Sequence, residues 1–496
     1  MKKSKTTLVG LFDEYASRSS SKLAIRERHR DWSYGELLAR SEGLSNCLNA
    51  LGVRQGHRVG LMLPNSGTFV LSFFGIARIG SVIAPLNLRY RIQELVYYLE
   101  DTSASAVLVC PDRVMRVKQA LSQIEHPPWL IESMPDGSFR TIEQGEVKTP
   151  STLDGDDLPL LHQYTSGSTG TPKRVIRTNG KLLYELQRLA GVFELGENDR
   201  FLGAAPFSHV NGLVRTMMTS MFIGGTLYPV PEFNRRELLK IITEERITYF
   251  GTVPYMYILL AETPLRGEVD LSSIRTAFSS SAPLLSADNR RFAEKYGIFV
   301  RQLYGSTETG TISVNTDENI EDSLDTVGLP LEGIRIEILD DAGNVLPGKQ
   351  QGEVAIASPA AITAYENNPE ANAKSFLRGF YLSGDLGFKD ENGYLTLTGR
   401  KKFLINRGGY EVNPFEVERA IQSNPKVREV VVLGAPTRHG DQLIRCVIVA
   451  NGPCTEREII EHCQARIADY KIPSVVEFVE ELPKSQTGKI LRDKLK

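Results

Sequence analysis

The stretch Tyr164-Thr165-Ser166-Gly167-Ser168-Thr169-Gly170-Thr171-Pro172-Lys173 decides how the rest of the chain is read. It is a run of small hydroxyl and glycine residues ending in one lysine, placed between an apolar strand-like run at 158–161 and a helix-like run at 181–193. Glycines let backbone N–H groups turn toward an anion, the hydroxyls of Thr165, Ser166, Ser168, Thr169 and Thr171 add donors, and Lys173 adds a positive charge. Such a loop handles phosphate. The spacing is not that of an ordinary P-loop, because Thr171 and Pro172 separate Gly170 from Lys173 and Arg174 follows instead of Ser or Thr. The strand-loop-helix context also argues against a flexible Ser/Gly linker.

Outward from the loop, the pattern is of alternating strands and helices. Residues 57–87 give an apolar strand ending at Pro64, a helix-like run over 68–79, Gly80, and a second strand reaching Pro85. Residues 200–231 repeat it: a strand to Pro206, a helix-like run over 213–222, Gly224-Gly225, and a strand over 226–230. Strands predicted at 248–253, 274–279 and 299–303 alternate with helices at 255–262 and 287–296, which is the grammar of βαβ units and parallel sheets. Two similar α/β subdomains are expected, with a ligand between them. After Thr326 short alternating segments at 334–339, 352–357 and 393–398 predict an antiparallel β-rich subdomain. The large N-terminal domain is placed at 1–400 and a small mobile α+β C-terminal domain at 401–496, with helices at 414–423 and 456–469 and strands at 430–433 and 445–449.

The 496 residues carry 58 Lys and Arg against 60 Asp and Glu, and no basic stripe interleaved with aromatics, so a nucleic-acid partner is not expected. The apolar run at 69–77 is broken by Arg78, well short of the ~20 residues that a membrane span needs. The apolar run at 8–12 is too short for a signal-peptide core, and a cytoplasmic protein is expected. Cys47, Cys110, Cys446, Cys454 and Cys463 form no Cys-x-x-Cys pair and have no zinc-like histidine spacing; they read as reduced structural thiols.

Taken in series, the loop and Pro206-Phe207-Ser208-His209, Tyr304-Gly305-Ser306-Thr307-Glu308-Thr309, Tyr381-Leu382-Ser383-Gly384-Asp385, Gly399-Arg400, Asn406-Arg407-Gly408-Gly409 and Pro483-Lys484-Ser485-Gln486-Thr487-Gly488-Lys489 resemble the adenylate-forming superfamily, in that family's order and over nearly the whole chain. The resemblance implies an acid–CoA ligase. A carboxylate attacks the α-phosphate of ATP, giving acyl-AMP and pyrophosphate, and the acyl group then passes to a thiol. It implies that residues 165–171 and Lys173 hold the departing pyrophosphate, that Glu308 holds Mg2+, and that Thr307 contacts the α-phosphate. It implies adenine stacking on Tyr304 with Ser281, Ala282 and Pro283 opposite, ribose hydroxyls on Asp385, and a second ribose or phosphate contact at Arg400. By the same resemblance Lys489 bridges carboxylate and α-phosphate during adenylation, Lys402 is the hinge, and Gly408 and Gly409 line a CoA channel. Three positions depart from the family pattern: Arg174 and Asn179 stand where glycine and histidine are usual, and Ser279-Ser280-Ser281 replaces a glycine-containing turn. Arg174 is expected to be an exposed loop cation.

His209 opens the helix-like run expected to wall the acyl pocket, and steps of about one turn bring Asn211 or Gly212 and then Arg215 to the same side. That wall is polar, which points to a short, hydroxylated, aromatic or dicarboxylic acid held partly by Arg215; the alternative is an Arg215 that faces solvent or pairs with a structural carboxylate. No carrier segment follows Lys496, so the thiol is expected in trans, as CoA or as the phosphopantetheine of a carrier protein. A stand-alone enzyme loading an aryl or other small acid onto a carrier, and a non-catalytic nucleotide-binding protein, stay open as alternatives, and a homodimer is compatible with either.

Overall fold

The computed structural model describes residues 6–148, 150, 157–165, 172–265, 267–407, 410–437, 442–485 and 488–495. The chain separates into two compact units: Met1–Leu324 with Leu331–Gly333 and Ser358–Ala373, and Asp325–Pro330 with Ile334–Ala357 and Lys374–Lys496.

The first unit is α/β and holds two sheets. In the first sheet, seven strands run in the order Phe139–Glu143, Trp129–Ser133, Ala104–Val109, Arg58–Met62, Val82–Pro85, Pro159–Thr165, Lys173–Thr178. Only its two edge strands pair antiparallel; the interior pairs are parallel. The predicted helix at 68–79 is Gly67–Arg78, capped by the Ser66 hydroxyl on the Phe69 N–H and buried along nearly its whole length, as a crossover on a parallel sheet must be. In the second sheet a parallel core runs through Arg301–Ser306, Thr276–Ser279, Tyr249–Thr252, Arg200–Gly203, Thr226–Pro229 and Leu23–Arg26. The repeat read from 57–87 and 200–231 is therefore a repeat of structure, one copy in each sheet.

The second copy differs in one respect. Where the first has an α-helix, the second winds Asn211–Met218 as a π-helix before Thr219–Ile223 resumes α geometry. The hydroxyls of Thr216 and Thr219 bond the carbonyls of Asn211 and Val214, five residues back, which matches that wider winding. π-Helical turns are rare and concentrate at functional sites.

The second unit contains the antiparallel sheet expected from the short alternating segments, built from Arg335–Leu339, Gly352–Ala357, Phe380–Lys389, Phe376–Leu377 and Leu395–Arg400. It also contains the strands Val427–Pro436, Gln442–Ala450 and Val475–Phe478 with the helices Pro414–Gln422 and Glu456–Gln464. Their core takes in Val417, Ile421, Val432, Ile444, Ile448 and Ile459 together with Cys446 and Cys463. Burial pushes the Cys446 thiol up to about 12 and the Cys463 thiol up to about 11, so both stay protonated packing groups, and all five cysteines are free. The expected boundary after Arg400 falls inside this unit.

Candidate active site

The phosphate-type stretch begins and ends in two strands that pair at the edge of the first sheet. Pro159–Thr165 pairs with Lys173–Thr178, with Thr165 opposite Lys173 and Tyr164 opposite Arg174. Ser166, Gly167, Ser168, Thr169, Gly170 and Thr171 lie outside the described residues. Facing residues of an antiparallel pair share one side of the sheet, and Tyr164 and Arg174 accordingly meet on one carboxylate. The Tyr164 hydroxyl donates to Asp101 Oδ2 at 2.5 Å, and Arg174 grips Asp101 through Nε and Nη2 at 2.7 and 2.5 Å. Arg174 also reaches Glu366 Oε2 at 3.3 Å, while Arg58 holds Glu366 Oε1 at 2.8 Å. Arg174 is thus not the exposed cation expected from sequence. Its side chain is 24% exposed, because Asp101 ends the helix Ile92–Asp101, where a carboxylate meets the negative end of the helix dipole and needs a cation beside it. Burial works to raise the Asp101 pKa, but the bonds from Arg174 and Tyr164 prevail and hold it below the usual carboxylate range.

Lys173 lies on the other face of the strand. Its ammonium stands 4.6 Å from the centre of the Tyr365 ring, and the Tyr365 hydroxyl donates to Glu308 Oε1 at 3.0 Å. Glu308 and Thr307 occupy the turn between Arg301–Ser306 and Gly310–Val314, closed by reciprocal bonds between Ser306 and Thr309. The Ile362 N–H donates to the Glu308 carbonyl at 2.8 Å, fixing the turn against the segment that carries Tyr365. The cation expected on pyrophosphate and the carboxylate expected on Mg2+ are therefore joined through one buried tyrosine. Among the described residues no group of three or more His, Cys, Asp or Glu is placed to hold a metal ion by itself. A single carboxylate still suits Mg2+, which keeps several waters and takes its other ligands from phosphate oxygens.

Tyr304 is buried on the strand leading into this turn, while Ser281, Ala282 and Pro283 are exposed after the strand Thr276–Ser279. Ser281 has φ +74°, the left-handed conformation that favours glycine, which accounts for the glycine usual in that turn. Its strain stands beside the expected adenine position.

His209 is half-buried at the head of the π-helix, and the packing around it lowers its pKa. Gly212 is required: a Cβ there would lie 2.3 Å from the Ala205 carbonyl oxygen and 2.5 Å from that of Pro206. Asn211 and Arg215 point into protein and are 2% and 0% exposed. Arg215 donates from Nε to Thr311 Oγ1 at 3.0 Å and from Nη1 to Ser280 Oγ at 3.2 Å, and Tyr249 caps its carbonyl at 2.6 Å. Its carboxylate neighbour is Glu185, 3.9 Å away, which is itself paired with Arg177 at 2.6 Å. Burial lowers the Arg215 pKa and Glu185 opposes that shift.

The second unit groups the remaining candidates. Asp385 and Arg400 face each other across an antiparallel pair, with Arg400 Nε on Asp385 Oδ1 at 2.5 Å, so the carboxylate expected on ribose is preset by the arginine expected beside it. Lys489 sits in a tight hairpin closed by the bridge between Lys484 and Ile490 and by bonds to Ser485. It keeps solvent access, yet partial desolvation and then the like charges of Arg400 and Lys402 lower its ammonium pKa. The Lys402 ammonium lies 5.0 Å from the Phe403 ring centre. Gly408 and Gly409, expected to line a CoA channel, lie outside the described residues.

Sequence reasoning missed Asp101, Arg177, Glu185, Tyr365 and Glu366. Glu185 left a legible signal, since a carboxylate stands on the apolar face of Leu182, Leu186 and Leu189 in the helix Asn179–Val192. Tyr365 left none, because its role depends on a distant turn.

Two parallel-cored sheets of repeated design, a glycine-rich edge hairpin and a cation–tyrosine–carboxylate line define a nucleotide-dependent ligase of the adenylate-forming class. The AMP-binding enzyme family matches residues 12–366 and the AMP-binding enzyme C-terminal domain matches residues 416–489, and the chain belongs to that family. The long-chain-fatty-acid–CoA ligase FadD13 of Mycobacterium tuberculosis is 31% identical, covering 94% of this chain and 92% of its own. A feruloyl-CoA synthase of Amycolatopsis is 30% identical over 97% and 96%. Among solved structures, ATP-bound MatB from Rhodopseudomonas palustris superposes with a TM-score of 0.88 at 27% identity, covering 99% of this chain and 98% of that one. The protein is an AMP-forming acid–thiol ligase. It activates a carboxylic acid with ATP to acyl-AMP, releasing pyrophosphate, and transfers the acyl group to CoA. No helix among the described residues is long and apolar enough to cross a membrane.

Proposed function

We propose that the residues of the first unit grip ATP and the acid, while the candidates of the second act on ribose and on the two half-reactions. The observation that carries this reading is the line from Lys173 through Tyr365 to Glu308, which fixes a cation and a carboxylate against one another before any ligand arrives. Charge accumulates on the phosphates as the acid carboxylate attacks, and groups fixed in advance need no reorganisation at that moment. Lys173 then grips the leaving pyrophosphate, Glu308 would hold Mg2+, which would supply positive charge against the phosphates, and Thr307 meets the α-phosphate. His209, Asn211, Gly212 and Arg215 wall the acid, and Tyr304 with Ser281, Ala282 and Pro283 brackets adenine. Asp385 and Arg400 receive the ribose.

Lys489 supplies the cation of adenylation, a use suited to a flexible point charge. Its lowered pKa supports that role, since a lysine crowded by Arg400 and Lys402 gains most from meeting an anion. Residues 401–496 reorient about Lys402 between the half-reactions, with Gly408 and Gly409 beside the incoming pantetheine arm. The test separates the two steps: acid-dependent exchange of labelled pyrophosphate into ATP for the first, and CoA acylation from preformed acyl-AMP for the second. Lys489→Ala is expected to suppress the first far more than the second. Equal loss in both contradicts its assigned role, and no exchange with any acid in the presence of magnesium contradicts adenylation itself.

A further inference from the structure

Two guanidinium groups and one carboxylate are sealed in the first unit between the helix Asn179–Val192, the π-helix Asn211–Met218 and the strand Gly310–Val314. Arg177, Glu185 and Arg215 are all within 1% of complete burial. Glu185 gives Oε2 to Arg177 at 2.6 Å and fills Oε1 with the N–H and hydroxyl of Thr311, both at 2.8 Å. Arg215, at 3.9 Å, is left as the unmatched charge. Two guanidiniums on one carboxylate leave the cluster a surplus positive charge, which a protein interior holds only at a large desolvation penalty and which a counter-charge supplied by a ligand would offset.

The unsatisfied atoms identify where that ligand goes. Arg215 Nη2 and both amide atoms of Asn211 are buried with no hydrogen-bond partner among the described residues; Arg177 Nε and Nη2 are too, but that guanidinium is already paired with Glu185. The two side chains are four positions apart on one helical stretch. The outer edge of the guanidinium is aimed at the ends of two parallel strands: Nη1 bonds Ser280, just beyond Thr276–Ser279, and Nη2 lies so close to Gly305 that a Cβ there would come within 2.6 Å of it. The crevice outside the carboxyl ends of parallel strands is where open α/β sheets take their ligands.

We infer that the acid this ligase activates carries a second carboxylate, bound by Arg215 and Asn211, so that the substrate class is a short dicarboxylic acid. The inference rests on the adenylation reading above. Length follows from the chain: Gly305 is two residues from Thr307, proposed at the α-phosphate, a span of at most about 7 Å. A handful of carbons separates the two carboxylates.

The test measures kcat/KM in the pyrophosphate-exchange assay for malonate, succinate, glutarate and adipate against the monocarboxylic acids of matched length. The wild-type enzyme is expected to favour the best diacid by about a hundredfold, because a buried charged group left unpaired penalises the analogue that lacks its partner. In Arg215→Gln and in Asn211→Ser that ratio is expected to collapse toward unity, with thermal melts showing whether each variant is folded. A wild-type enzyme that prefers monocarboxylic acids overturns the inference while leaving adenylation standing, whatever the variants do. A folded Arg215→Gln that keeps the diacid ratio overturns it as well. Absence of exchange with every acid tried, with magnesium present, overturns the adenylation reading and this inference with it.

Discussion

Replacing Tyr365 with phenylalanine removes one hydroxyl and leaves the ring under Lys173 in place. Tyr365 is 3% exposed and Glu308 7%, so the lost bond, 3.0 Å long, is a buried one to a carboxylate that water cannot readily replace. Hydrogen bonds to charged groups contribute about 1.5–3 kcal/mol, and each 1.36 kcal/mol is tenfold in rate, so the change corresponds to roughly 10- to 150-fold in kcat/KM for magnesium–ATP. Leucine in place of Tyr365 also removes the cation–π contact to Lys173, worth about 0.5–2 kcal/mol, a further twofold to thirtyfold. The assay is pyrophosphate exchange at saturating acid with magnesium–ATP varied. Tyr365→Phe should raise the magnesium and ATP requirements while the KM for the acid stays near that of the wild type, since the hydroxyl removed is bonded to Glu308. If Tyr365→Phe keeps magnesium and ATP dependence within twofold of wild type, the cation–tyrosine–carboxylate line does not organise the site.

Arg174→Ala leaves Asp101 and Glu366 without their shared cation, and after discounting for partial exposure the loss is about 1–3 kcal/mol in a denaturant titration, with Arg174→Lys recovering only part of it because the two-pronged grip is gone. Gly212→Ala drives a methyl group onto the Ala205 and Pro206 carbonyls, backbone atoms that cannot swing aside; overpacking of about 1–3 kcal/mol predicts a KM for the acid raised roughly tenfold. His162 is held down to about 3 by burial and by the charges of Arg58 and Arg174. It is neutral in both folded and unfolded chains at pH 7, but below about 6.5 the unfolded chain takes up a proton that the native one refuses. Stability should therefore fall by about 1.4 kcal/mol per pH unit between roughly pH 6.5 and pH 3 on this account alone. Unfolding midpoints at pH 7, 6 and 5 should fall less steeply in His162→Leu than in the wild type; equal slopes refute the assignment.

The alternation of strands and helices, and with it the repeat in the two sheets, could be read from sequence because a parallel sheet covered on both faces requires long apolar runs. The π-helix could not: Asn211–Met218 has the apolar spacing of an ordinary helix, and its winding follows from the approach of Gly212 to the Ala205–Pro206 turn and from two threonine hydroxyls. Lys173, Glu308, Asp385 and Arg400 stood out as parts of motifs, whereas Tyr365, which joins the first two, did not. Arg174 looked like a loop cation because Asp101 and Glu366 lie 73 and 192 residues away in the chain. Glu185 was visible as a charge on an apolar helical face, but its meaning required knowing that Arg177, Arg215 and Thr311 converge on it.

That convergence follows from the period of a single strand. In Lys173–Thr178, residues 173, 175 and 177 share one face and 174 the other. On the first face Lys173 reaches Glu308 through Tyr365, and Arg177 reaches the N–H and hydroxyl of Thr311 through Glu185. Glu308 and Thr311 flank Gly310, whose φ of +69° reverses the chain between them, so one strand holds the Thr307–Glu308 turn at two points. On the second face Arg174 ties the same strand to Asp101 and Glu366, and Glu366 is the neighbour of Tyr365. Strand, turn and tyrosine are thus positioned by polar groups that are largely withdrawn from water, where a misplaced partner costs far more than a shifted methyl group. A register slip of one residue in this strand would turn Lys173 away from Tyr365 and Arg177 away from Glu185 together. The proposed phosphate and acid sites are therefore expected to be coupled through the strand Lys173–Thr178, and changes to Arg177 should disturb ATP binding as well as choice of acid.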